Sequence, residues 1–121
     1  MDATSDDMQT PVEIMFRSFP PSPGVERAIY RWVDRLEQVF GRITHCRVVI
    51  EVPHRHIGQG RTFHVRVDLS VPDHTISVGR DPGRDHAHED VYVAVADAFR
   101  AARRQLQDRV HIQRGDVKLH A

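Results

Sequence analysis

Arginines at helical spacing are the most chemically suggestive feature of this 121-residue chain. Between residues 98 and 118 stand Arg100, Arg103, Arg104, Arg109, Arg114 and Lys118, against only Asp108 and Asp116. Arg100, Arg103, Gln107, His111 and Arg114 follow steps of three or four, so they share one stripe of a helix that runs that far. Arg27, Arg31 and Arg35 form a second ladder in steps of four. Like charges at that spacing repel by roughly 0.2–0.5 kcal/mol a pair. A polyanion removes the penalty and adds the free energy of counterion release. The interleaved Glu26, Asp34, Glu37, Asp97 and Asp108 keep a second reading open, in which both ladders are mixed-charge faces turned to water.

The nine histidines suggest a different chemistry. His54-x-His56 stands in a Pro- and Gly-rich segment, His64 opens a strand-like run, and His86-x-His88 precedes a helix. A structural zinc site needs about four ligands. The lone cysteine, Cys46, alternates with valine and isoleucine and reads as a small core residue. No metal or cofactor is therefore expected, and a histidine-rich metal-binding or protein-interaction module on the same fold stands as the alternative. Histidine gains charge near pH 6.5. His54, His56 and His111 are accordingly expected to strengthen RNA binding as pH falls from 7.5 to 6. Catalysis is not expected. No Gly-rich phosphate loop, G-x-S-x-G elbow or metalloprotease motif occurs, and Ser18, Cys46 and Glu51 have no base partner at a readable spacing.

The elements that must carry these residues are legible from periodicity. Val12–Arg17 roughly alternates and reads as a strand closed by Pro20, Pro21 and Pro23. Ser22-Pro23 opens a helix with a hydroxyl cap and a proline where no N–H is needed. Val25, Ile29, Trp32, Val33, Leu36 and Phe40 recur at its period, and Gly41 stops it. Cys46, Val48, Ile50 and Val52 line one face of a second strand. Residues 63–71 form the cleanest alternating run, a turn follows at Pro72-Asp73, and Ile76 and Val78 continue into a fourth strand. Residues 53–61 and 79–87 read as polar loops. In the second helix Glu89 and Asp90 fall in the first turn, where carboxylates suit the helix dipole. Val91, Val95, Ala98, Ala102 and Leu106 form its buried stripe, with Tyr92 and Phe99 beside it. The result is an α+β fold of order β-α-β-β-β-α, a four-stranded sheet with both helices on one face and the other face wet. The wet face offers His45, Arg47, Glu51, His64, Arg66, Asp68, Thr75 and Ser77 and no aromatic on which a base could stack, so RNA would be met by helices and loops.

Composition bounds the rest. Formal net charge is zero, with 17 basic and 17 acidic side chains, but it is unevenly spread: residues 1–20 hold Asp2, Asp6, Asp7 and Glu13 against Arg17. The organisation expected is a disordered arm at 1–10, one domain at 11–115 and a tail at 116–121. No apolar run is long enough for a membrane span. The acidic N-terminus lacks the features of a secretory signal, and one cysteine forms no internal disulfide, so a cytoplasmic protein is expected.

The run His88-Glu89-Asp90-x-Tyr92-x-Ala94, with Arg104-Gln105-Leu106 downstream in the same helix, resembles the second helix of the bacterial ribosome hibernation promoting factors, the family that includes the ribosome-associated inhibitor, or ribosomal subunit interface protein. Ser22-Pro23 followed by Arg35-Leu36-Glu37 is similar to the family's first helix, and the element order is the family's fold. The resemblance covers about residues 11–115. It implies a non-catalytic protein that docks on the small ribosomal subunit near the decoding centre, blocks the mRNA and tRNA sites, and holds ribosomal RNA backbone with basic side chains. Carried over by position, Arg35 matches a first-helix basic site, Arg104 the arginine of the RQL run, and His88, Glu89, Asp90 and Tyr92 the helix-opening motif. Together with the two ladders this gives Arg27, Arg31, Arg35, His88, Arg100, Arg103, Arg104, His111 and Arg114 as the residues expected at ribosomal RNA. The chain departs from the pattern at Ala87, where several members carry lysine, at Asp108 in a commonly basic helix end, and in the longer segment 53–61. The C-terminal domain by which long members pair two ribosomes is not found in these 121 residues.

Overall fold

The computed structural model describes residues 10–52, 62–79 and 87–120, with side chains throughout these ranges except at 87, 88 and 111–120. Its elements are β1 (Val12–Arg17), α1 (Pro23–Phe40), β2 (His45–Glu51), β3 (Phe63–Val71), β4 (His74–Val78), β5 (Ala87–His88) and α2 (Val91–His120). The sheet runs β1-β2-β3-β4, with β1 parallel to β2 and the other neighbours antiparallel.

Register follows from the hydrophobic alternation. Ile14 lies opposite Val48, Val48 opposite Val67, and Val67 opposite Val78, so an apolar row crosses all four strands. A slip of one residue would turn every member of that row to water. Val48, Ile50, Val65, Val67 and Leu69 are fully buried with Ile29 of α1 and Val95, Ala98 and Phe99 of α2, in one core between sheet and helices. This is the expected α+β arrangement, with both helices on the apolar face.

Two residues punctuate α1 as their chemistry requires. The Ser22 hydroxyl accepts the Val25 N–H at 3.3 Å, and Gly41 takes a φ of 66° while its N–H donates to the Glu37 carbonyl at 2.8 Å. The start of α2 differs from the expectation. The helix begins at Val91, so Glu89 and Asp90 lie ahead of its first turn. Asp90 is the cap: its carbonyl accepts from Ala94 N–H at 3.0 Å and its carboxylate from Tyr92 N–H at 2.9 Å. A capping carboxylate is worth about 1 kcal/mol by satisfying an orphan N–H directly, which outweighs a diffuse dipole contact.

Two further differences appear. Ala87 and His88, at the end of the expected loop, form β5, which pairs with Phe63 and His64 on the edge of β3 that β4 occupies further along. The fourth sheet position is thus shared by two short strands. Just past β4, Gly79 takes a φ of 83°, and a side chain there would place its Cβ 2.4 Å from the Val65 carbonyl oxygen. Helix α2 continues through Gly115 to His120, past the expected start of the tail, since one interior glycine costs a helix only about 1 kcal/mol.

Candidate nucleic-acid interface

Helices α1 and α2 run side by side in the same direction. Tyr92 lies across Gly24 near their starts, Trp32 stacks on Phe99 midway, and Phe40 and Leu106 border one groove further on. Tyr92, expected beside the buried stripe, lies at its exposed edge. Its side chain stays half exposed over α1, while Phe99 takes the core position. Burying Tyr92 would require a partner for its hydroxyl.

Burial of Val25, Ile29, Val33 and Leu36 turns Arg27, Arg31 and Arg35 outward. The ladder is not one surface. Arg35 leans toward α2, with its guanidinium carbon 5.4 Å from the centre of the Trp32 ring. Arg31 borders a groove of about 350 Å³ toward β1, with Thr10, Val12, Tyr30, Asp34 and Glu37. Two interleaved acids have other partners: the Glu37 carboxylate accepts from the Thr10 hydroxyl at 2.6 Å, and Asp34 accepts from Gln38 at 3.3 Å. Among the described residues no carboxylate forms an ion pair with Arg27, Arg31 or Arg35.

On α2, Arg100, Arg103, Arg104 and Gln107 are exposed opposite the buried Ala94, Val95, Ala98, Phe99 and Ala102. Arg100 pairs with Asp97 at 3.5 Å and also lies 5.8 Å from the Trp32 ring centre. Arg103 and Arg104 have no ion-pair partner among the described residues. Arg109 belongs elsewhere: it reaches Asp73 across the sheet end, 3.9 Å away. Asp108 is exposed on the same helix. His111 and Arg114 occupy helical positions and His88 a strand position, but their side chains lie outside those described. Residues 53–61 with His54 and His56, and the segment holding His86, also lie outside the described residues, and so does the pH expectation placed on them.

The outward sheet face pairs its charges internally. Glu13 of β1 lies 3.8 Å from His45 and 3.9 Å from Arg47 of β2, and Arg66 Nε is 3.3 Å from the Asp68 carboxylate without the angle of a hydrogen bond. No Phe, Tyr or Trp stands among the described residues of this face. The aromatic rings of Phe16, Phe19 and Phe63 meet edge to face and pack against the core. The sheet therefore offers no platform for stacked bases. Among the described residues no three His, Cys, Asp or Glu side chains gather as a metal site. Cys46 is fully buried; loss of hydration, with the Asp68 charge adding to it, pushes its thiol up to about 12.

Known proteins place this geometry. The family model described as sigma 54 modulation protein / S30EA ribosomal protein matches residues 12–114. The chain belongs to that family. The match spans β1 to α2 and includes both arginine ladders. Among solved structures, the S30EA fold seen here is similar to a ribosomal subunit interface protein from Coxiella burnetii, with a TM-score of 0.67 and 13% identity over 84% of this chain and 99% of that one. It is also similar to the N-terminal domain of Protein Y from Thermus thermophilus, with a TM-score of 0.61 and 13% identity over 84% and 98%. No curated protein sequence matches the chain. No helix of the described residues is long and apolar enough to cross a membrane.

Sequence reasoning missed Trp32. It recurs at the apolar period of α1, and in the structure it is half-buried and meets arginines of both helices. Arg35, three residues on, was a readable neighbour. Arg100 was not, because its approach depends on how the two helices align.

Proposed function

We propose that this S30EA-family chain binds the small ribosomal subunit near the decoding centre and blocks the mRNA and tRNA sites by occupying them. The observation that carries the reading is the family match over residues 12–114 together with exposed arginines on α1 and α2, of which Arg27, Arg31, Arg35, Arg103 and Arg104 have no ion-pair partner among the described residues. Arg27, Arg31, Arg35, Arg100, Arg103 and Arg104 meet the phosphates of ribosomal RNA, and His88, His111 and Arg114 extend the contact. The mechanism is steric and reversible. It needs no catalytic group, cofactor or small-molecule substrate, and it places the protein in the cytoplasm. Guanidinium forks suit phosphate oxygens because their planar donors match two acceptors at once. The sheet face plays no part in base recognition.

Sucrose-gradient co-sedimentation with purified ribosomes at low and high salt tests the proposal. Comigration with small subunits and whole ribosomes, lost as salt rises, is the expected result, with inhibition of in vitro translation over the same protein range. A phosphate-dominated contact loses affinity linearly in log salt. Failure to comigrate at low salt would refute the reading.

A further inference from the structure

The junction of the two helices holds a site that the arginine ladders alone do not describe. Trp32 of α1 lies against Phe99 of α2, ring centres 5.8 Å apart and planes 11° from parallel, and Phe99 is fully buried. The indole is thereby fixed. Two guanidinium groups from different helices converge on it, Arg35 at 5.4 Å and Arg100 at 5.8 Å from the ring centre. Both distances fall within the roughly 6 Å reach of a cation–π contact. The ring's π electrons attract both cations, which would otherwise only repel each other. Asp97, 3.5 Å from Arg100, offsets one of them, and Arg35 has no ion-pair partner among the described residues. Two donor forks and one uncompensated positive charge are left where the two helices meet.

A phosphodiester has one negative charge and two free oxygens, and each oxygen accepts from a guanidinium fork. With Phe99 on one side and arginines over the ring, Trp32 is not free to stack on a base. We propose that Arg35 and Arg100 form a seat for a single backbone phosphate of RNA, with Trp32 as its positioning residue. This inference rests on the RNA-binding reading above and adds to it a defined unit shared by two helices. Arg103 and Arg104, one turn further along α2, then meet neighbouring phosphates as separate contacts.

Trp32 is the only tryptophan in the chain, so its emission reports on the seat. Two probes are titrated: purified small ribosomal subunits and a short single-stranded uridine oligonucleotide. The proteins are the wild type, Arg35→Gln, Arg100→Gln and the double variant; both arginines are exposed, so these variants keep the fold. The expected result is a saturable change in Trp32 emission with both probes. Each single substitution abolishes that change and weakens binding three- to tenfold, and the double variant is little worse than either single. The salt slope falls by about 0.7–0.9, one phosphate's worth. In a Trp32→Leu background the two arginines become additive, and Trp32→Phe retains part of their coupling, which a purely structural role for the indole would not produce. Additive losses in the wild-type background, or binding of small subunits without any emission change, would overturn the seat and leave the ribosome reading standing. An emission change with the oligonucleotide but no association with subunits would refute the ribosome reading and retain the seat. No response to either probe would overturn both.

Discussion

Trp32 and Phe99 lie nearly parallel, 5.8 Å between ring centres, and this pair joins the middle of α1 to the first third of α2. Phe99 has no exposed surface and is among the largest fully buried side chains of the core. Phe99→Ala is expected to destabilise the protein by about 3–5 kcal/mol, the usual range for emptying a buried aromatic site. Phe99→Leu should cost clearly less, because most of the volume is kept. Urea denaturation followed by circular dichroism gives both values. A loss below about 1 kcal/mol for the alanine variant would show that the helices are held together elsewhere.

Arg103 and Arg104 are exposed and form no ion pair with any described residue, so their charges are available to a partner and contribute little to folding. Reversing both, Arg103→Glu with Arg104→Glu, should leave the denaturation midpoint nearly unchanged and lower ribosome affinity at least tenfold. That factor corresponds to about 1.4 kcal/mol. Co-sedimentation across a protein titration measures it. Unchanged affinity would put the contact surface on another face.

Gly79 is strained for any other residue on two counts, a φ of 83° and a Cβ position 2.4 Å from the Val65 carbonyl oxygen. The obstacle is backbone of the central strand β3 and does not swing aside. Gly79→Ala is expected to cost at least about 2 kcal/mol, above the roughly 1 kcal/mol of a left-handed alanine alone. The shift of the urea midpoint reads the cost, and a neutral substitution would mean that the β3–β4 edge rearranges freely.

Cys46 makes stability depend on alkaline pH. Unfolded, the thiol ionises near its ordinary 9.0; folded, burial first and the Asp68 charge second keep it protonated to about 12. Between those values the unfolded chain binds fewer protons than the native one, so stability falls as pH rises, by up to about 1.4 kcal/mol per pH unit from this group. Below pH 9 the group has no effect. Denaturation midpoints of the wild type and Cys46→Ala, compared from pH 7 to 10.5, should diverge only above 9, with the wild type falling more steeply. Parallel curves would show that the buried thiol ionises as freely as an exposed one.

Local rules carried much of this architecture. Ser22, Pro23 and Gly41 mark the ends of α1 because each meets a need of the backbone there, and the alternation in residues 63–71 fixes which side of β3 faces the helices. Where local rules were silent or ambiguous, tertiary context decided. Asp90 suited either a first turn or a cap, and only the hydrogen bonds to Tyr92 and Ala94 distinguish them. A strand as short as Ala87–His88 has no periodicity to read. Tyr92 carried an apolar ring beside a buried stripe, yet its hydroxyl keeps it at the surface over Gly24. At the candidate interface, the ladders were legible from spacing on each helix. The convergence of Arg35 and Arg100 on Trp32 was not, because no spacing within one helix reports on the alignment of two.

The internally paired charges of the outward sheet face have a consequence for how this molecule meets a partner. Glu13 with Arg47, and Arg66 with Asp68, cancel one another's field on that side, while Arg27, Arg31, Arg103 and Arg104 form no ion pair among the described residues. On α1 three acids, Glu26, Asp34 and Glu37, match three arginines in number, so the local positive excess lies on α2, where Arg100, Arg103, Arg104 and Arg109 outnumber Asp97 and Asp108. Near a polyanion, zero formal net charge gives little overall attraction, but this local excess favours approaches that bring α2 forward. Encounter is then selected by orientation before any contact forms, and raising salt should slow arrival through the right face more than it slows diffusion itself.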